Sequence, residues 1–130
     1  MSYADATSAY RQMEILSASP GQLVVIVYDY LLVQLRRIDL AIENGDVELR
    51  CEAIGRANAA LTELMGGLDL DRGGQLSTQL RALYSFFLGE LIDVGRYNDR
   101  KRLAQISTQV GELRSAFSQI AARPAAASAA

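Results

Sequence analysis

Apolar positions recur with a helical period over most of this chain, and one stretch carries more of them than a single helix face needs. Between Ser19 and Gly45, the residues Leu23, Ile26, Val27, Tyr30, Leu31, Leu35, Ile38 and Ile42 fall at i, i+3, i+4, i+7 spacing, which seats a helix on a core. Val24, Val25, Tyr28, Leu32 and Val33 lie outside that stripe, so the first half of the helix is apolar nearly all the way round. Ser19 is suited to the N-cap, Pro20 to the first helical position and Gln22 to a capping box, while Gly45 after Asn44 offers a left-handed stop. Such a helix is either central in its bundle or keeps part of its surface for a partner. Each large apolar side chain removed from water is worth about 1.5–3 kcal/mol. A few left outside would drive association.

The other segments carry one apolar face each. Tyr3, Ala6, Tyr10 and Met13 predict a short amphipathic helix ahead of the Ser17–Pro20 turn; at that length it needs docking to persist. After the turn at Asn44-Gly45-Asp46, with Asp46 as cap, the ladder Val47, Cys51, Ile54, Ala57, Leu61, Leu64, Met65 and Leu68 predicts a helix to about Met65 or Gly66. Cys51 on that ladder reads as a small core residue. Ala53, Ala57, Ala59 and Ala60 are small enough to let another helix come close. Leu76, Leu80, Leu83, Tyr84, Phe87, Leu88, Leu91 and Val94 predict a third long helix from Gln75 to between Gly95 and Tyr97. Asn98 or Asp99 then caps a last one with Leu103, Ile106, Val110, Leu113, Phe117 and Ile120, ended by Pro124.

No segment alternates with period two, so the expected fold is all-α: an antiparallel up-down four-helix bundle with a short N-terminal helix or cap segment. The boundaries are 1–18 for the cap segment, 19–123 for the bundle and 124–130 for a disordered tail of small residues.

Composition narrows the function. The chain has 13 basic against 15 acidic residues and no basic block, which argues against nucleic acid. The run Leu23 to Val33 is interrupted by Asp29 and too short to span a bilayer, so no membrane insertion is expected. One cysteine and no signal peptide at the start fit the cytoplasm. The absence of histidine excludes a histidine phosphotransfer bundle and the Glu-x-x-His di-iron site of ferritin-like bundles, and leaves zinc or cysteine–histidine chemistry without ligands. No metal, cofactor or catalytic residue is expected. The Gly66–Gly74 stretch has neither the Lys-Ser/Thr of a phosphate loop nor the spacing of a calcium loop around Asp69 and Asp71.

Asp29 is the one acid inside the most apolar segment, and Arg36 or Arg81 is the expected partner at the bundle edge. Arg36-Arg37 and Arg100-Lys101-Arg102 read as solvated faces, or as docking charges. A small helical chorismate mutase, which surrounds a dianion with arginines and a lysine, is a poor fit because the single lysine, Lys101, starts a helix. A homodimer that buries the surplus apolar face is another outlet.

The ordered set Tyr10 to Met13, Ser17 to Leu23, Val27-Tyr28-Asp29, Ala41 to Asp46, Glu63-Leu64, Gly73-Gly74, Leu83-Tyr84, Asn98-Asp99 and Glu112-Leu113-Arg114 resembles the flagellar secretion chaperone FliS family from Tyr10 to Ile120. Tyr30 stands where that family often has glycine, Val94-Gly95 replaces a common Ala-Asn, and Phe117 replaces a usual tryptophan. The resemblance implies a cytoplasmic chaperone that binds the disordered C-terminal segment of flagellin, prevents premature polymerisation and hands it to the flagellar type III export gate. It also implies an N-terminal cover, here Tyr10 and Met13, over a helix-binding groove. On the surplus face, Leu23, Ile26, Val27 and Tyr30 are the expected groove residues. Binding a long unfolded segment by coupled folding needs apolar surface beyond that of one core.

Overall fold

Two-residue turns set most of the topology. The computed structural model describes residues 20–122, and the chain there forms α1 (Pro20–Asn44), α2 (Val47–Gly66), α3 (Gly74–Tyr97) and α4 (Arg100–Ala121), with no strand among the described residues. α1 packs on α2 and α4, and α3 packs on the same two helices. The result is the expected antiparallel four-helix bundle, with α1 and α3 on opposite corners. The expected N-terminal cap segment with Tyr10 and Met13, the Ser19 cap and the C-terminal tail lie outside the described residues.

The turns follow from local chemistry. Gly45 takes the left-handed φ of 68°, the region where a Cβ is unfavourable. Asp46 then accepts from the Leu49 N–H at 3.0 Å and starts α2. At the α3–α4 turn the two candidate caps divide the work: Asn98, with φ 51°, stops α3, and Asp99 accepts from the Arg102 N–H at 2.9 Å to start α4. In the longer loop, Asp69 accepts from the N–H groups of Asp71 and Arg72 at 3.2 and 3.0 Å, so this acid folds its own turn. Gly73 is required there by space, since a Cβ would lie 2.6 Å from the Asp69 carbonyl oxygen.

The core is Tyr28, Leu31, Leu35 and Ile38 from α1, Ala53, Ala57 and Leu61 from α2, Tyr84, Phe87 and Leu91 from α3, and Leu103, Ile106 and Val110 from α4. Two sequence expectations are corrected by it. Cys51 and Val47 are exposed, not core. The inward face of α2 runs through Ala53, Ala57, Ala60, Leu61 and Leu64 at i, i+4, i+7, i+8 and i+11, and Val47 and Cys51 fall to the side of that face, so they turn outward. Leu76, in the first turn of α3, and Ile120, near the end of α4, also stay exposed.

Candidate partner-binding surface

The face of α1 that turns inward keeps Leu31, Leu35 and Ile38 of the stripe counted first, with Val27 and Ile42 packed beside them, but it is rotated away from Leu23 and Tyr30 and takes in Tyr28 instead. Tyr28, from the other face, is fully buried, its hydroxyl hydrogen-bonded to that of Tyr84 on α3 and its ring 5.6 Å from that of Phe117. Burial raises the pKa of both phenols, and for Tyr28 the bond to Tyr84 raises it further, so the pair stays neutral and bonded at ordinary pH. Val24 and Val27 pack against this core as partly buried neighbours.

With Tyr28 inward, a different set turns out. Leu23, Tyr30, Val33 and Leu40 are 36%, 41%, 40% and 50% exposed, and Ile26 between them is half-buried. Their spacing of 23, 26, 30, 33 and 40 follows the i+3, i+4 rhythm on one side of the helix, so they form one stripe along α1. Of the four expected groove residues, Leu23, Ile26 and Tyr30 sit on this stripe, Ile26 half-buried, and Val27 belongs to the core side. Val33 and Leu40 were overlooked as surface residues, although continuing the count from Leu23 through Tyr30 leads to both.

The seam between α1 and α4 is laced by two ion pairs. Asp29 accepts from Arg114 at 2.8 and 3.4 Å, and Asp39 accepts from Arg100 at 2.8 and 3.1 Å, with Glu43 3.9 Å from the same guanidinium. The expected partners of Asp29, Arg36 and Arg81, are both displaced. Arg81 sits on α3, at the opposite corner of the bundle from α1, and Arg114 reaches Asp29 directly across the seam. Arg100 holds the Asp39 carboxyl below its ordinary value through that hydrogen bond.

Beside the Asp39–Arg100 pair opens a groove of about 500 Å³, floored by Leu35, Leu40, Leu103 and Ala104 and rimmed by Arg36, Asp39, Glu43 and Ser107. Leu40 lines this groove and also stands at the end of the stripe, where Arg37 separates it from Val33. A second, shallower groove of about 420 Å³ lies on the α3–α4 seam over Leu83 and Leu113, with the exposed Phe86 also on α3.

Nothing in this surface is arranged for bond chemistry. No group of three or more metal-ligating side chains occurs among the described residues. Arg100, Arg102 and Arg114 are each engaged by carboxylates at separate places and do not converge on a dianion site. No helix among the described residues is long and apolar enough to cross a membrane.

A helical bundle with a long apolar stripe on its outer surface is a protein-binding architecture, and comparison with known proteins gives it a family. The family model of flagellar protein FliS matches residues 3–124, and the chain belongs to that family. It is 31% identical over 122 residues to the flagellar secretion chaperone FliS of Salmonella typhimurium, covering 90% of each chain. It is 31% identical over 112 residues to that of Bacillus subtilis, covering 86% of this chain and 83% of the relative. Its fold matches a solved structure described as a flagellar chaperone from bacteria, with a TM-score of 0.74 at 16% identity over 90% of this chain and 95% of the other. The family is one of flagellar secretion chaperones and not of enzymes, so the chain acts in flagellum biogenesis and export by holding a substrate protein.

Proposed function

We propose that this chain is a cytoplasmic chaperone that binds the disordered C-terminal segment of flagellin on the α1 surface, keeps it from polymerising, and delivers it to the flagellar type III export gate. The observation that carries the reading is the stripe Leu23, Ile26, Tyr30 and Val33, resumed at Leu40, exposed or half-buried on a helix whose other face already fills the core. An apolar stripe with i+3, i+4 spacing accepts an amphipathic helix, and a disordered segment that folds onto it binds without being enclosed. Tyr10 and Met13 serve in this proposal as a cover that leaves when the segment arrives.

Calorimetric titration with a flagellin C-terminal peptide tests this directly. A saturable complex is expected, with a negative heat-capacity change from apolar burial and coupled folding, together with faster hydrogen exchange in residues 1–16 once the peptide is bound. Absence of a complex would remove the flagellin reading. Unchanged exchange in residues 1–16 would remove the cover.

A further inference from the structure

Among the charges that line the α1–α4 groove, Arg36 is the one without a counter-ion among the described residues. It is exposed on the groove rim and makes no ion pair with any described residue. The carboxylates that could have served it are already taken. Both oxygens of Asp39 accept from Arg100, Glu43 lies 3.9 Å from the same guanidinium, and Asp29, two turns before Arg36 on α1, is held by Arg114. A cation is thus left at the edge of an apolar floor made by Leu35, Leu40, Leu103 and Ala104.

We infer that Arg36 is a specificity contact of this chaperone, placed to receive a carboxylate from the apolar face of the exported subunit's helix as that helix passes from the α1 stripe into the α1–α4 groove. The inference rests on the reading of this surface as the flagellin site. Charge complementarity selects the occupant: an amphipathic helix with one Asp or Glu set among apolar residues meets both floor and rim, whereas a lysine or arginine at that position faces like charge and is disfavoured. A guanidinium presents a planar fork that a carboxylate can engage with two hydrogen bonds. A docked helix would also shield the pair from solvent, which strengthens it relative to an exposed pair.

The test titrates the C-terminal segment of the organism's own flagellin into the full chain and into its Arg36→Gln and Arg36→Glu variants, with thermal melts of all three. Arg36 holds no side chain among the described residues, so the melts should coincide. Binding should weaken roughly three- to fivefold for Arg36→Gln and about tenfold or more for Arg36→Glu, and the salt dependence of the affinity should be shallower for Arg36→Gln. Segments in which each acidic residue in turn is changed to lysine should include one that binds Arg36→Glu more tightly than it binds the parent chain. Equal affinity of all three chains for the unmodified segment, or no segment that rescues Arg36→Glu, overturns the inference while leaving the flagellin reading in place. Failure of the parent chain to bind the segment overturns that reading and the inference with it.

Discussion

Removing one hydroxyl from the Tyr28–Tyr84 pair should cost more than removing both. Each phenol is buried and its hydrogen bond is to the other, so Tyr28→Phe or Tyr84→Phe alone leaves a polar group in the core without a partner, at about 1–3 kcal/mol. The double variant removes donor and acceptor together and should lie closer to the parent. Urea unfolding of the four proteins closes this cycle; strictly additive single effects would show that the hydroxyls are not coupled. The same pair sets a pH limit. Both folded-state pKa values are raised above the ordinary value near 10, so the folded chain holds protons that the unfolded chain releases. This contribution is fully present below pH 10 and declines as pH rises beyond it. An alkaline unfolding limb should therefore appear above pH 10 and be weaker in the double Phe variant. Tyr28 was visible in the sequence as part of a second apolar face. Its partner on α3 was not, because the pairing depends on how two distant helices register.

At the scale of elements, short polar signals carried most of the boundaries. Asn44-Gly45-Asp46 and Asn98-Asp99 mark two turns on their own, since a left-handed stop and an acidic N-cap need particular residue types. Asp46→Ala should cost about 1 kcal/mol, and Gly45→Ala about 1–2 kcal/mol, because alanine would be forced into the left-handed region that Gly45 occupies. Denaturant midpoints measure both losses, and far-ultraviolet circular dichroism should show helix content preserved. An unchanged Gly45→Ala midpoint would mean that the turn can be remade without the positive φ. Helix faces were less legible than helix ends. On α2 hydropathy favours Val47 and Cys51 as core, yet the packed bundle buries Ala53, Ala57 and Ala60 together with Leu61 and Leu64 and leaves Val47 and Cys51 outside. That choice of face belongs to the bundle and is not written in one helix alone.

For the molecule as a whole, the apolar surplus of α1 divides between a core face and an outer stripe, and the division can be tested through what each half controls. Core truncations act on stability, whereas substitutions on the stripe should act on binding. Leu23 and Tyr30 are more than a third exposed, so Leu23→Ser with Tyr30→Ser should lower stability by only about 0.5 kcal/mol per site. If the stripe seats the exported segment, the same pair should weaken binding by about tenfold or more, since loss of buried anchors at an interface centre exceeds 1 kcal/mol each and 1.4 kcal/mol is tenfold. Leu76→Ser provides the control: it is more exposed still but lies on α3, at the corner opposite α1, and should leave affinity unchanged. Equal loss from the control and the double variant would move the site away from α1. Sedimentation of the same proteins separates the remaining use of an apolar face. A chain that binds as a monomer keeps the stripe for its substrate, whereas a dimer that persists at saturating peptide and dissociates in the Leu23, Tyr30 double variant would show that a second copy occupies it.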